Sequence, residues 1–254
     1  MVSIKSFLSI VAIATIFSEV SAAPRHRHRH RHGHVHAVGK HHLTPQEVQT
    51  MVPAGEHTLP ELVLKYNKIW SKDNLSFDPN YFKNFTGGQY PGFTWIGCSD
   101  SRVASDTLSE TLPGQIFTHR NIANGVSEDD ANSLAVLQYT IDELKVQDIV
   151  ISGHTYCGGI NAAMNATAFD GPIAKWIKPI ADLYEANRDQ IDALSPGYER
   201  NYALGKLNVK RVVDIVGNLE MVKKAREGGQ PVRIHGWMYH METGLIEDLK
   251  ITNE

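Results

Sequence analysis

Cysteine is scarce in this chain: Cys98 and Cys157 are the only two in 254 residues. At most one disulfide can form, so a densely cross-linked scaffold is excluded and a buried core must supply the stability. Basic patches are lacking as well. The formal net charge is −3, and no extended run of Lys and Arg occurs outside an N-terminal tail, so nothing directs the folded part towards nucleic acid. Long apolar runs are missing beyond the first residues, and a membrane span takes about 20 of them, so no later segment is expected to act as a membrane anchor. No internal repeat is present. What remains has 42% hydrophobic residues and suits one domain with a sizeable core.

Residues 1–22 read as a secretory signal peptide, with Lys5 ahead of an apolar stretch from Phe7 to Phe17 and small residues before a cut after Ala22. The apolar stretch is too short to span a bilayer comfortably. A secreted, extracellular product is expected. Three sequons, at Asn74, Asn84 and Asn165, fit glycosylation in such a pathway. Residues 23–43 form a His/Arg-rich leader: eight of the 13 histidines lie between positions 26 and 42, alternating with arginine from Arg25 to His32. Its composition predicts disorder, with either a loose transition-metal or pH-sensitive role or none. Residues 44–254 make the remaining domain.

The chemistry concentrates at Gly97-Cys98-Ser99-Asp100-Ser101-Arg102-Val103, entered from the apolar run Phe93-Thr94-Trp95-Ile96. If the backbone stays extended, side chains alternate and Cys98, Asp100 and Arg102 project to one side. Gln147-Asp148-Ile149-Val150-Ile151-Ser152 reads as a second, buried strand running into Gly153-His154-Thr155-Tyr156-Cys157-Gly158-Gly159. Cys98, His154 and Cys157 together make a Cys2His set with a fourth position left open, as catalytic zinc requires. Sulfur and imidazole suit Zn2+ better than magnesium or calcium. The competing expectation is a Cys98–Cys157 disulfide, which composition favours in an oxidising compartment. The Asp and Arg after Cys98 and the His before Cys157 favour ligation.

These motifs, with FTHRNIAN at residues 117–124 and IHGWMY at residues 234–239, resemble the β-class carbonic anhydrases, in the family's order and over about four-fifths of the chain. The family pattern around both cysteines adds to the case for zinc. The resemblance implies an enzyme that interconverts carbon dioxide with bicarbonate and a proton through zinc-bound hydroxide. Asp100, kept ionised by Arg102, would accept a hydrogen bond from that hydroxide and aim its lone pair at the carbon. By resemblance, Gln89, Phe117, Tyr139 and Gly158 line the substrate pocket. Trp95, Arg120 and Tyr239 match a non-catalytic bicarbonate site of one subtype, which favours a closed state with Asp100 as the fourth zinc ligand. Two other functions remain open, a carbon disulfide or carbonyl sulfide hydrolase on the same scaffold and a non-catalytic, metal-sequestering secreted glycoprotein.

The rest of the chain alternates between helical and extended patterns. Thr44-Pro45-Gln46-Glu47 opens a short helix, and Thr58 with Glu61 caps another. The second carries Leu59, Leu62, Val63, Tyr66, Ile69 and Trp70 as one apolar stripe. The family's N-terminal helices embrace a partner, which implies at least a homodimer. Strands are expected at Phe93–Gly97, Gln115–His119 and Val232–Trp237, and helices from Ser127, over residues 172–187, and unbroken over residues 198–227. The fold class is therefore α/β, a mostly parallel central sheet covered by helices, with an N-terminal helical arm packed on a partner subunit.

Overall fold

The computed structural model describes residues 59–254. The expected signal peptide, the His/Arg-rich leader, and the helix and cap expected at Thr44 and Thr58 lie outside the described residues. Helix α1, Leu59–Phe77, carries the expected stripe. Its Val63, Tyr66, Ile69 and Trp70 are all exposed. The helix stops before Asp78-Pro79, because the residue ahead of a proline disfavours helical backbone.

Five strands make one sheet: β1 Phe93–Cys98, β2 Ile116–Asn121, β3 Asp148–His154, β4 Arg233–His240 and β5 Leu245–Asn253, in the order β2-β1-β3-β4-β5. The first four run parallel and β5 pairs antiparallel to β4. The expected α/β class with a mostly parallel sheet is what the chain adopts. Strand β3 is buried along nearly its whole length, as a central parallel strand covered on both faces must be.

Helices fill the crossovers: α2 Ser105–Leu108, α3 Ala131–Gln138, α4 Gly158–Met164, α5 Gly171–Ala186, α6 Arg188–Asp192, α7 Tyr198–Asn218 and α8 Glu220–Glu227. Val209, Val212, Val213 and Val216 recur at helical spacing along α7 and pack with Ile96, Ile149, Ile151, Ile234 and Met238 of the sheet. Fully burying each such side chain contributes about 1.5–3 kcal/mol. A second apolar cluster joins Ile160 of α4, Ile177 and Ile180 of α5 and Leu204 of α7 around the two cysteines.

Three local expectations are corrected. The third helix starts at Ala131, not Ser127: Asp130 is its N-cap, its carboxylate accepting from the backbone N–H groups of Asn132 and Ser133, while Ser127 sits in the preceding turn. Past Gln138 this helix widens into a π-helical turn over Tyr139–Glu143. The stretch over residues 198–227 is two helices, broken at Leu219 with extended backbone (φ −60°, ψ 139°) just after the weak helix formers Gly217 and Asn218. Strand β5 is an addition to the expected elements. Glu247, Asp248 and Lys250 interrupt its alternation, and its pairing shifts register opposite Gly236 and Trp237.

Candidate metal centre

Strands β1 and β3 are neighbours and parallel, so their carboxyl ends open on the same edge of the sheet, where open α/β folds place their ligands. Cys98 is the last residue of β1 and His154 the last of β3; Cys157 is the N-cap of α4, three residues further on. All three are buried, and their ligand atoms lie within 4.8 Å of one another. No disulfide forms, since the two sulfurs stand 3.9 Å apart. Two thiolates at about 2.3 Å from a tetrahedral zinc would be about 3.8 Å apart, whereas a disulfide needs about 2.05 Å.

The histidine supplies an independent test of fit. Its Nδ1 lies 2.9 Å from the carbonyl oxygen of Thr155, which can only accept, so Nδ1 carries the proton and Nε2 keeps its lone pair. That Nε2 is buried and has no hydrogen-bond partner among the described residues. A buried polar atom left bare costs about 1–3 kcal/mol, and a metal ion shared with two thiolates removes that cost. The donor set therefore fits zinc.

The two sulfurs share a proton. The Cys157 thiol donates to Cys98 and, with the backbone N–H groups of Asp100 and Ala123, brings Cys98 down to about 4 against the effect of burial. Cys157 keeps the shared proton, so its thiol is pushed up, by that same hydrogen bond first and by burial second. Backbone N–H groups of Gly159 and Ile160 oppose this.

Past Cys98 the chain turns, contrary to an extended run through Arg102: Val103 N–H donates to the Asp100 carbonyl at 3.1 Å. The turn folds Arg102 back on Asp100, where Nε and a terminal nitrogen reach the two carboxylate oxygens at 2.9 and 2.6 Å. This bidentate pair, against the cost of partial burial, lowers Asp100 to about 2. Asp100 Oδ2 is 3.9 Å from His154 Nε2. From β2, Arg120 donates to the carbonyls of Cys98 (2.8 Å) and Asp100 (2.5 Å), fixing the turn from behind.

The remaining predicted residues are more dispersed. Gly158 begins α4 beside Cys157. Phe117 and Tyr139 stack on each other with ring centres 5.8 Å apart, and Tyr139 is 46% exposed. Gln89 is exposed in the loop before β1. Trp95 is buried edge-on against Trp237, 5.8 Å between ring centres, and it lines with Tyr239 a small space that also touches Cys98 and His154. Asn84 and Asn165 are exposed, whereas Asn74 is partly buried and donates to the Trp70 carbonyl within α1.

Sequence reasoning missed Asn201. It is buried on α7 and clamps Cys157 at both ends: its side-chain oxygen accepts from Cys157 N–H at 3.1 Å and its amide donates to Cys157 O at 3.0 Å. Seven residues on, Asn208 donates to the carbonyl of Ala123 at 3.0 Å. Two asparagines seven apart on the apolar face of a helix signal burial in the sequence, but not which groups they hold. Between these clamps, Gly159 lets α4 approach the Ile122–Ala123 turn; a Cβ there would sit 2.7 Å from Ile122 and 3.0 Å from Ala123.

Comparison with known proteins agrees with this geometry. The family model described as carbonic anhydrase matches residues 93–246. A carbonic anhydrase of Emericella nidulans is 36% identical over 74% of this chain and 82% of its own length. One of Candida albicans is 36% identical over 79% of this chain and 71% of its own. Among solved structures, a tetrameric β-carbonic anhydrase of Sordaria macrospora superposes with a TM-score of 0.73 at 33% identity, covering 76% of this chain and 98% of that one. The β-carbonic anhydrase CafA of Aspergillus fumigatus gives 0.71 at 34% identity, over 75% and 90%. With the family model spanning Cys98, His154 and Cys157, the chain belongs to the carbonic anhydrase family, in its β class, and is an enzyme.

Proposed function

We propose that this enzyme catalyses the reversible hydration of carbon dioxide to bicarbonate and a proton at a zinc ion held by Cys98, His154 and Cys157. The observation that carries this reading is the buried, partnerless Nε2 of His154 converging with two sulfurs beside the Asp100–Arg102 pair. Bound there, zinc would acidify a water and present it as the nucleophile. Two thiolates leave the ion little residual charge, so orientation falls to the protein. Asp100, held near 2 by Arg102, is ionised at neutral pH and can only accept. Its Oδ2 would accept a hydrogen bond from the remaining O–H of the nucleophile and so turn a lone pair towards the carbon of the substrate. Gly158 and the Phe117–Tyr139 stack form the apolar side of the pocket, and Gln89 donates to bicarbonate.

The tetrameric state of the Sordaria macrospora enzyme and the exposed apolar stripe of α1 support self-association, with an N-terminal arm packed on a partner. Trp95, Arg120 and Tyr239 form the regulatory bicarbonate site. Arg120 holds the Asp100 carbonyl, so an anion that draws this guanidinium away would loosen Asp100 and free its carboxylate to serve as a fourth ligand to a bound zinc. The protein is secreted after cleavage of residues 1–22 and carries glycans on exposed sequons.

Metal analysis of the secreted protein, paired with a carbon dioxide hydration assay, tests the proposal. The expected result is about one zinc per chain, with activity lost on chelation and restored by zinc. Active, metal-free protein containing a Cys98–Cys157 disulfide would end it.

A further inference from the structure

Thr155 follows the histidine of the ligand set and is fully buried. It is held at three points. Its N–H donates to the carbonyl of Tyr239 at 3.0 Å, its hydroxyl donates to Glu242 Oε2 at 2.8 Å, and that hydroxyl accepts from Met241 N–H at 3.0 Å. Its carbonyl in turn accepts the Nδ1 proton of His154. The first of these tethers ends near the end of β4, and the other two end in the turn that leaves β4 for β5. Glu242 is itself anchored: Oε1 lies 3.1 Å from His240 Nδ1, and His240 Nε2 lies 2.8 Å from Glu247 Oε2. Tyr202 donates to that same Glu247 oxygen at 2.7 Å.

We infer that Glu242 is a positioning residue of the metal centre, acting through Thr155 to fix the tautomer and direction of His154. The reasoning is geometric. A metal-bound imidazole needs its far nitrogen held by an acceptor of fixed place, and removal of such outer partners typically weakens metal binding about 10–100-fold. Here the acceptor is a backbone carbonyl, and a carbonyl can be aimed only by tethering its residue. Glu242 supplies the one tether to Thr155 that comes from a charged side chain, so it is the strongest of the three. The carboxylate reaches the histidine loop across 87 residues of sequence, which ties the ligand on β3 to the β4–β5 hairpin.

This inference rests on zinc ligation by His154. The test measures zinc affinity of the full chain by competition with a chromophoric chelator, and records the visible spectrum of the cobalt-substituted protein. Glu242→Ala should bind zinc about 10–100-fold more weakly and shift the cobalt bands. Glu242→Gln keeps an acceptor for the Thr155 hydroxyl and should stay within about threefold of wild type, restoring the cobalt spectrum. A folded Glu242→Ala protein with unchanged affinity and spectrum overturns the inference, as does Glu242→Gln losing as much as Glu242→Ala. Should Glu242→Ala fail to fold, Thr155→Val deletes the hydroxyl at nearly constant volume and takes its place: weaker zinc binding with shifted cobalt bands supports the inference, and unchanged values overturn it. A wild type that binds no zinc refutes the ligand set itself and is thereby told apart from failure of the Glu242 role.

Discussion

At the scale of single residues, the centre divides labour between groups that hold and one group that orients. Asp100 touches no ligand atom closely, yet its carboxylate is pinned by three donors from Arg102: Nε, a terminal nitrogen and the backbone N–H. Asp100→Asn should therefore leave the zinc content near one per chain while lowering turnover about 100-fold, the scale on which a positioned proton-handling group contributes. An amide presents an N–H where the nucleophile's proton must go. Stopped-flow hydration assays beside metal analysis check this, and near-normal turnover would remove Asp100 from the mechanism. The residues that carry this chemistry were legible in the sequence because Cys98, Asp100 and Arg102 share one turn and His154 and Cys157 share another. Asn201, Thr155 and Glu242 were not, since their roles depend on tertiary contacts. Asn201 and Cys157 are 44 residues apart, and no local pattern encodes that pairing.

At the scale of elements, α7 and the β4–β5 hairpin brace the ligand loop from two sides. Asn201→Leu on α7 would strand the N–H of Cys157 in an apolar setting, at about 1–3 kcal/mol, while the Cys157 carbonyl keeps its bond from Asn161 N–H at 3.1 Å. The expected outcome is a protein destabilised by about 1–3 kcal/mol in chemical denaturation, less whatever the zinc-loaded state offsets. The hairpin brace should reveal itself through pH. His240 sits between Glu242 and Glu247, with Tyr198 and Tyr202 beside it. Burial opposes its charged form, but hydrogen bonds to Glu247 and Glu242 outweigh burial and raise it above its ordinary 6.5. A raised histidine stabilises fully below its unfolded value and loses that contribution as pH rises through the folded one. Glu242 moves the other way: against burial, its hydrogen bonds bring it from 4.5 to about 2, so its contribution is present above 4.5 and lost as pH falls towards 2. The stability difference between wild type and His240→Phe should thus peak between about pH 4.5 and 6.5 and shrink above that window. A difference that is flat with pH would show that the cluster acts by packing alone. The parallel strands and α7 were readable because buried β-branched runs and a valine stripe announce them. The hairpin's return strand was not, because an edge strand with one covered face tolerates Glu247, Asp248 and Lys250.

At the scale of the whole molecule, a single chain leaves its apolar surfaces unfinished. Val63 and Tyr66 on α1 are 58% and 57% exposed, and Tyr139, assigned to the substrate pocket, is 46% exposed. Contiguous apolar side chains along one helix face mark an interaction surface more often than an inert one. Strand β2 ends the sheet on one side, so its outer backbone groups have no strand partner among the described residues. Charged replacements at Val63 and Ile69, made together as Val63→Glu and Ile69→Glu, place carboxylates where a partner would have to desolvate them, at several kcal/mol per ion. The pair should shift the protein towards the single-chain mass in sedimentation velocity. If the pocket lined by Phe117 and Tyr139 is closed by a second copy, activity should fall with that shift while zinc per chain stays near one, because Cys98, His154 and Cys157 all come from the same chain. A monomer with full turnover would show that the exposed pair is surface packing and that the pocket is complete within one subunit. An unchanged oligomer would assign the contact to another face and leave the stripe on α1 without its proposed partner.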